Sequence, residues 1–388
     1  SNLGAVQAFE FATAGRIVFG AGRAAEVPAI LGGLGGNRVF VCTGARPERH
    51  ADLLGALPPD TRVYQVDGEP TVEVARAATA AAREHRAGVV LGIGGGSVLD
   101  LGKAVAMLLG NGGDPLDYLE VVGRGQPIRR AGTPYVAVPT TSGTGAEVTA
   151  NAVLASPGHG VKASLRDPSM LPRVAVVDPL LAVGCPPAVT ASSGLDALTQ
   201  CLEPLVSVRA NPMTDGMARE GLRRAASGLR RSYVDGGDVA ARTDMALCSL
   251  FGGLALANGK LGAVHGLAGV LGGMLPVPHG VACAALLAPV TEVNLAALRS
   301  RQPDAPALLR YAEAARLLTG RPEASTADGV AWLRETVAAL DIPPLRRYGL
   351  RAEHTAEVVA KAARASSTRG NPIPLEPDEL ESALAGAT

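Results

Sequence analysis

Four polar residues in the second half of the chain have types and spacings suited to binding a metal ion. Asp196 and Gln200 lie four residues apart in the segment SGLDALTQ, so a helix would place them on one face. His265 and His279 follow in the segments VHGLAG and PHG. A carboxylate, two imidazoles and an amide oxygen are donors that a divalent transition metal accepts. A purely structural role for each histidine stays open, because histidine is often partly buried without binding a ligand.

A glycine-rich segment in the first half of the chain has the composition of a phosphate-binding turn. Gly94, Gly95, Gly96 and Ser97 stand between an apolar strand-like run and a helix-like run. Backbone amides without side chains at a helix N-terminus can bind a phosphate, and Ser97 can cap the helix or donate to the phosphate. A tight strand–helix turn without any ligand is the alternative interpretation.

Hydroxyl side chains follow a second strand-like run, in the segment PTTSGTGAE. Thr140, Thr141 and Thr144 combine with small residues to make a polar lining for a ligand. Two such loops at the carboxyl ends of strands in one sheet indicate a nucleotide site. The chain has four lysines among 36 cationic residues, and Lys103 and Lys162 lie close to these loops. A lysine kept among so many arginines suggests a need for a compact charge.

The elements that must position these residues differ between the two halves. Before residue 183, strand-like runs at 38–42, 88–93, 135–138 and 175–177 alternate with helix-like runs at 71–85 and 98–109. This alternation predicts a parallel sheet covered on both faces. After Pro186 and Pro187 helical patterns dominate, at 192–206, 213–229, 240–256, 305–318, 325–340 and 355–365. We therefore predict an α/β domain over residues 3–183 and an all-helical domain over residues 184–388.

Composition excludes several classes of protein. The 388 residues carry 36 cationic and 36 acidic side chains, so the chain lacks the basic excess of a nucleic-acid or anionic-membrane binder. No stretch of 18 uncharged apolar residues occurs, and the start of the chain does not have the pattern of a signal peptide. Five scattered cysteines without CxxC spacing predict reduced thiols rather than disulfides or a zinc knuckle. We expect a cytoplasmic protein that binds neither nucleic acid nor a membrane.

Taken together and in order, the motifs resemble those of the iron-containing (group III) alcohol dehydrogenases. They are GIGGGSVLDLGKAVA, PTTSGTGAEVT, Lys162 followed by the pair Asp178 and Pro179, then GLDALTQ, VHG and PHG. The family also includes lactaldehyde reductases, glycerol dehydrogenases and maleylacetate reductases. The resemblance covers essentially the whole chain. It implies the dehydroquinate synthase-like architecture: an α/β dinucleotide-binding domain, an all-helical domain, and a cleft between them for NAD(P) and a metal.

The resemblance also implies roles for individual residues. Gly94, Gly95, Gly96 and Ser97 would hold the pyrophosphate, and Thr140, Thr141, Thr144 and Lys162 would line the cofactor site. Metal ligands in the family are an aspartate and three histidines, and Asp196, His265 and His279 match three of these positions. His265 and His279, with Lys162, are the expected catalytic residues. A homodimer is the expected assembly.

Two departures from the family pattern affect the site. Gln200 stands where the family usually has a histidine ligand, and an amide oxygen is a weaker donor for Fe²⁺ or Zn²⁺. Loose metal binding through Gln200, a water in its place, and a metal-free site all remain open. Gly269 stands where many members carry another histidine. A water or a substrate hydroxyl would then have to deliver the proton.

A third departure concerns the choice of cofactor. Many members have an aspartate after the first strand, which binds the adenosine ribose and repels a 2′-phosphate. Here Gly44 occupies that position, and Arg46 and Arg49 lie just beyond it. We hypothesise that NADPH is accepted, and in the stronger form of the hypothesis that it is preferred. The alternative is that both arginines are simply solvated.

These observations predict an oxidoreductase that transfers a hydride between NAD(P)H and a small carbonyl or alcohol. Metal would polarise the substrate oxygen if it is bound. Without metal, His265 or His279 would donate a hydrogen bond to the developing alkoxide. Three alternatives remain: a metal-free enzyme of the maleylacetate reductase type, an NAD-using lyase of the dehydroquinate synthase type, and a catalytically degenerate nucleotide-binding paralogue.

Overall fold

The computed structural model of the protein describes residues 6–388, which divide into two units. One unit is Ala12–Cys185, and the other is Pro186–Thr388 together with the N-terminal residues up to Phe11. The first unit is a parallel sheet with helices and the second is helical, which confirms the predicted fold class. Residues 3–5, where the predicted first domain begins, lie outside the described residues.

The first unit is built on a parallel sheet with the strand order β1-β8-β5-β4-β2-β3. Side chains of β2 alternate between two apolar clusters: Val39 and Val41 pack on one face, and Phe40 and Cys42 on the other. Both faces are therefore buried, as expected for a parallel sheet. The strands are β1 (Arg16–Phe19), β2 (Val39–Thr43), β3 (Thr61–Gln65), β4 (Val89–Gly94), β5 (Tyr135–Pro139) and β8 (Val174–Val177).

The helices of this unit cover the sheet and precede or follow its strands. Helices α3 and α4 pack on the face that carries Phe40, and α1 packs on the opposite face. Helix α4 starts two residues after the last residue of β4, so the glycine segment is the turn between them. The helices are α1 (Val27–Gly33), α2 (Ala51–Gly55), α3 (Val72–Glu84), α4 (Gly96–Asn111) and α5 (Pro115–Tyr118).

An antiparallel hairpin between β5 and β8 was not expected from the sequence. It consists of β6 (Asn151–Ser156) and β7 (Val161–Arg166). Strands β1 and β3 also lacked a sequence prediction, and β3 explains why: its residues are half-buried or exposed, so they do not form an apolar run. The four predicted strands and two predicted helices of this unit correspond to β2, β4, β5, β8, α3 and α4, within two residues at each end.

The second unit consists of helices around one large apolar cluster. The six predicted helices are all present, but α9, α10 and α14 were missed. Glycine-rich α9 has low helix propensity, and α10 is buried around most of its circumference, so neither shows a clear period of 3.6 residues. The helices are α6 (Pro187–Val206), α7 (Pro212–Val234), α8 (Val239–Asn258), α9 (Ala263–Met274), α10 (His279–Arg301), α11 (Pro306–Thr319), α12 (Thr326–Ala339), α13 (Thr355–Arg364) and α14 (Pro377–Gly386).

Two of the described helices, α8 and α10, are long and apolar enough to cross a membrane by length and composition alone. Their most apolar windows are 61% and 78% buried inside the protein. This burial is typical of core helices in a soluble protein. No disulfide joins cysteines among residues 6–388, as the sequence predicts.

Candidate functional site

The glycine turn and the threonine loop meet at the carboxyl edge of the sheet. Strands β4 and β5 are direct neighbours, so the segments that follow them lie side by side. A Cβ atom on Gly95 would lie 3.2 Å from the Thr141 hydroxyl, and one on Gly96 would lie 2.6 Å from the Thr144 hydroxyl. The two loops pack this closely only because both positions are glycine. The geometry brings the two predicted loops together.

The N-terminus of α4 offers free hydrogen-bond donors at this edge. Gly95 is the N-cap, and no side chain caps the helix. The hydroxyls of Ser97, Thr140 and Thr141 are half-buried, and they make no hydrogen bond to other groups of residues 6–388. Unpaired amides and hydroxyls at a helix N-terminus bind anions such as phosphate. These residues therefore have the chemistry of a pyrophosphate site.

Other glycines of the same motif serve packing rather than ligand binding. Gly92 and Gly102 lie against the ring of Tyr135, which is buried between β4 and α4 and donates a hydrogen bond to the Leu99 carbonyl. Any side chain at Gly92 would overlap the Tyr135 hydroxyl. Close contact between strand and helix thus fixes the position of the α4 N-terminus.

Lys103 is buried inside the α/β unit and not at its surface. Its ammonium group donates to the Thr149 hydroxyl at 2.7 Å and to the Asn151 carbonyl at 3.0 Å, and it lies 3.5 Å from Asp100. Burial raises the pKa of Glu147 to about 7, and nearby Lys103 only partly offsets this effect. Lys103 therefore joins α4 to the segment after the threonine loop.

Lys162 lies on strand β7, where its ammonium group is 2.6 Å from the Glu69 carboxylate. Glu69 follows β3, so the ion pair stands at the same edge of the sheet as the glycine and threonine loops. The side chain of Lys162 is 17% exposed. Its predicted cofactor and catalytic roles remain predictions.

The segment after β2 has the features on which the cofactor hypothesis depends. A Cβ on Gly44 would meet only one atom within 4 Å, so this position has room for a ligand. Arg46 and Arg49 are exposed, and neither forms an ion pair with a carboxylate of the described residues. The buried hydroxyl of Thr43, the last residue of β2, has no hydrogen-bond partner among residues 6–388.

In the second unit, three helices bring the predicted metal ligands together. The Oδ1 atom of Asp196 on α6 lies 3.1 Å from Nε2 of His265 on α9 and 3.5 Å from Nε2 of His279 on α10. The two imidazole centroids are 5.4 Å apart. Asp196 and His265 are buried, whereas the side chain of His279 is 36% exposed. The cluster is therefore accessible on the side of His279.

Glu203, one turn beyond Gln200 on α6, orients His265. Its carboxylate accepts the His265 Nδ1–H at 2.5 Å and the backbone N–H groups of Val264 and His265 at 3.2 Å each. One side chain thus caps α9 and fixes the imidazole so that Nε2 faces Asp196. Carboxylates that hold the second nitrogen of a metal-binding histidine act in the same way. Glu203 was not predicted from the sequence, because no local motif links it to α9.

A single glycine determines where His279 stands. Gly280 is the second residue of α10, and a Cβ there would lie 2.6 Å from the Ser192 carbonyl oxygen on α6. Because Gly280 has no Cβ atom, the start of α10 can approach α6, which carries Asp196. The PHG segment therefore positions His279 through close helix contact.

The cluster favours positive charge. Burial alone would raise the pKa of Asp196, but His279 and His265 lower it well below its ordinary value. The sulfur of Cys283, with Asp196, raises the pKa of His279 to about 10, against the effect of burial. Acidic groups thus outweigh burial around both imidazoles, which is the electrostatic setting of a cation site.

Gln200 does not take part in the contacts of this cluster that the structure shows. It is buried on α6 one turn beyond Asp196, and its Oε1 atom has no hydrogen-bond partner among the described residues. Cys283 is a further potential donor near Asp196, His265 and His279. The four donor atoms all lie within 4.8 Å of one another. From the sequence, Cys283 was predicted only to be one of five reduced thiols; its spacing of four residues from His279 is the signal that would have found it.

One turn after His265, the α9 surface is open. Gly269 is exposed, and a Cβ at this position would meet nothing within 4 Å. The predicted absence of a proton-relay side chain at this point therefore coincides with free space on α9.

The chain thus combines an α/β unit that has two polar loops at the carboxyl edge of its sheet with a helical unit in which Asp196, His265 and His279 converge. Residues 14–179 match the iron-containing alcohol dehydrogenase family, and residues 190–388 match the C-terminal region of the Fe-containing alcohol dehydrogenase family. These matches span more than half of the chain. The protein belongs to the iron-containing alcohol dehydrogenase family.

Individual relatives share between about a quarter and a half of the aligned residues with this chain. Alcohol dehydrogenase 4 of Saccharomyces cerevisiae is 42% identical over 213 residues, which are 55% of this chain and 55% of the yeast protein. The match thus spans about half the length of that relative. A crystal structure of a 1,3-propanediol oxidoreductase superposes with a TM-score of 0.90 at 30% identity, covering 98% of this chain and 100% of that one. Maleylacetate reductase from Agrobacterium tumefaciens superposes with a TM-score of 0.78 at 29% identity, over 98% of each chain.

Proposed function

We propose that the protein is an NAD(P)H-dependent alcohol dehydrogenase or carbonyl reductase that acts on a small alcohol, aldehyde or ketone with the help of a divalent metal. The observation that carries the proposal is the convergence of Asp196, His265 and His279 from three helices, with Glu203 orienting His265. Family membership and the relatives named as alcohol and propanediol oxidoreductases support it.

The residues of the cluster have the chemistry to hold such a metal. Asp196, His265 and His279 would hold the ion, and Gln200 carries a buried oxygen that still lacks a partner in the described chain. A metal bound there acts as a Lewis acid on the oxygen of the substrate. Glu203 keeps a proton on Nδ1 of His265, which leaves Nε2 available as a ligand. Partly exposed His279 leaves the approach to the cluster open for the substrate.

The cofactor would bind to the α/β unit, and its reduced nicotinamide supplies the hydride. Gly94, Gly95 and Gly96 with Ser97 offer backbone and hydroxyl donors to the pyrophosphate, and Thr140, Thr141, Thr144 and Lys162 would line the site. Because Gly269 has no side chain, we propose that a water or a substrate hydroxyl delivers the proton to the alkoxide.

NADPH is the proposed cofactor of choice. Gly44 removes the acidic side chain that would repel a 2′-phosphate, while Arg46 and Arg49 lie exposed beside it without carboxylate partners in the described residues. A ratio of kcat/KM for NADPH over NADH above one is the expected result. A ratio well below one would overturn the preference.

A metal-free reductase is the second candidate. Its support is Gln200 at the position of a usual histidine ligand, together with the structural similarity to a maleylacetate reductase. In that case His265 and His279 would donate hydrogen bonds to the developing alkoxide. We propose a homodimer in the cytoplasm for either candidate, in line with the family and with thiols that form no disulfide among residues 6–388.

Two measurements on one anaerobic preparation, made without chelator, test the proposal. The first is metal content per chain, and the second is oxidation of NAD(P)H with small aldehydes, ketones and keto acids. About one metal per chain and turnover that stops on chelation are expected. Turnover without metal would favour the second candidate. Tight NADPH binding without any turnover would indicate a degenerate paralogue, and turnover without net NAD(P)H consumption a lyase.

A further inference from the structure

Cys283 lies where a metal ligand is needed and has not been assigned a role. It is fully buried on α10, four residues after His279, so both side chains lie on one face of the helix. Its Sγ atom is 3.7 Å from His279 Nε2. Asp196, His265, His279 and Cys283 each offer one donor atom, and these four atoms lie within 4.8 Å of one another.

The distances between donor atoms agree with a tetrahedral cage. For zinc, with metal–nitrogen and metal–oxygen distances near 2.0–2.1 Å and a metal–sulfur distance near 2.3 Å, neighbouring ligand atoms lie about 3.3–3.6 Å apart. The observed separations are 3.1 Å from Asp196 to His265, 3.5 Å from Asp196 to His279, and 3.7 Å from His279 to Cys283. Small side-chain shifts would bring all four atoms to such positions.

A second observation also indicates that a cation is part of this region. Gln200 Oε1 is buried on α6, one turn from Asp196, and it has no hydrogen-bond donor in the described part of the chain. A buried oxygen without a partner destabilises the folded protein unless a donor or a cation lies near it. Asp196 and Glu203, on the same helix, are buried as well. The two buried carboxylates are what a bound cation would compensate.

We infer that Cys283 is a ligand of the metal centre, which is therefore an Asp196–His265–His279–Cys283 site suited to zinc rather than to iron, and the substrate oxygen would be a fifth ligand. The inference rests on the proposed function, since it assumes that a metal binds to this cluster. A sulfur donor favours zinc and softer ions, and all first-row sites of this kind already bind zinc more tightly than Fe²⁺. In this chain Cys283 replaces the ligand lost at position 200.

Spectroscopy of the whole protein distinguishes a sulfur ligand from an oxygen or nitrogen ligand without any activity assay. Apoprotein loaded with Co²⁺ should show the visible bands of a tetrahedral ion together with a near-ultraviolet sulfur-to-cobalt charge-transfer band. Zinc-loaded protein should show one sulfur neighbour near 2.3 Å in X-ray absorption. Bound zinc should also protect one thiol from alkylation.

The Cys283→Ser variant is the critical comparison, and Cys248→Ser is its matched control. Cys248 is buried in the same helical unit, on α8, outside the four-residue group. Cys283→Ser should lose the charge-transfer band and bind zinc at least about a hundredfold more weakly, beyond the 10- to 100-fold effect of an outer partner. Cys248→Ser should retain both properties. Far-ultraviolet circular dichroism verifies that each variant is folded.

The outcomes separate this inference from the proposed function. If Co²⁺ and Zn²⁺ bind in a stoichiometry of one but show no sulfur ligand, and Cys283→Ser binds them normally, the assignment of Cys283 is wrong while the metal-dependent function stands. If neither ion binds to the wild-type protein, the metal-dependent function fails and the assignment fails with it. A sulfur ligand lost only in Cys283→Ser establishes the assignment.

Discussion

The α/β unit and the helical unit build their candidate sites from different parts of the chain. In the α/β unit, the donors are backbone amides at the start of α4, and glycine determines how closely the loops approach. In the helical unit, the donors are side chains that three helices bring within a few ångströms. A backbone site depends on one short segment, whereas a side-chain site depends on how distant helices pack. We therefore expect substitutions at distant packing positions to affect the second site more strongly.

Among residues outside the proposed ligand set, the largest effect is expected from Glu203. Glu203→Gln removes the charge that holds His265 Nδ1, so metal affinity should fall 10- to 100-fold, or about 1.4–2.7 kcal/mol. Glu203→Ala should weaken metal binding further, because it also removes the cap of α9. Isothermal titration of apoprotein with zinc measures both.

A surface glutamate provides the control for these variants. Glu335 is exposed on α12, and Glu335→Gln should leave metal affinity unchanged. Cofactor affinity should stay within about twofold in every variant, since the cofactor loops belong to the other unit. Unchanged zinc affinity in Glu203→Gln would show that Glu203 acts only as a helix cap.

A pair of glycines tests whether helix packing determines the side-chain site. Gly280→Ala would place a Cβ against the Ser192 carbonyl and should cost about 1–3 kcal/mol of stability as α10 is displaced from α6. Gly269→Ala adds a Cβ in open space and should be neutral or stabilise by up to about 1 kcal/mol. Urea unfolding and zinc titration of both variants measure the difference.

The two glycine variants are matched because both change an early or middle helix residue by one methyl group. Zinc affinity should be lower than wild type in Gly280→Ala and equal to wild type in Gly269→Ala. Equal losses in both, or none in either, would contradict the role assigned to the α6–α10 contact.

The same contrast between the units explains what could be predicted from the sequence. The glycine and threonine loops are contiguous and follow apolar strands, so their type and position were predictable from local pattern. Asp196, His265 and His279 were found as chemically suitable residues. Glu203 and Cys283 were not, because their roles depend on α9 and α10, two helices without a clear period. Strand β3 and the β6–β7 hairpin were missed for the related reason that they are only partly buried.

The smallest predicted effect is on the pH dependence of stability, and it arises from the buried carboxyl group of Glu147. Asp196, a buried carboxyl of the helical unit, shows the opposite pKa shift. The histidines of its cluster lower the pKa of Asp196, whereas burial raises the pKa of Glu147 to about 7 because Lys103 compensates it only in part. Between the unfolded value of about 4.3 and this folded value, the native state holds a proton on Glu147 that the unfolded state releases. Stability should therefore decrease as the pH rises through this window.

Glu147→Gln isolates this contribution, because glutamine keeps the shape of the side chain and does not titrate. Relative to Glu147→Gln, the wild-type protein should lose about 1–2 kcal/mol of stability between about pH 5 and pH 7, since each unit of pKa shift corresponds to about 1.4 kcal/mol. Urea unfolding of the α/β unit at several pH values measures the difference. A difference that is independent of pH would mean that Lys103 fully compensates the Glu147 carboxylate. Glu147 and Asp196 would then both be carboxylates whose charge is compensated by nearby cationic groups. The two units would differ only in whether backbone amides or side chains supply the donors of the candidate site.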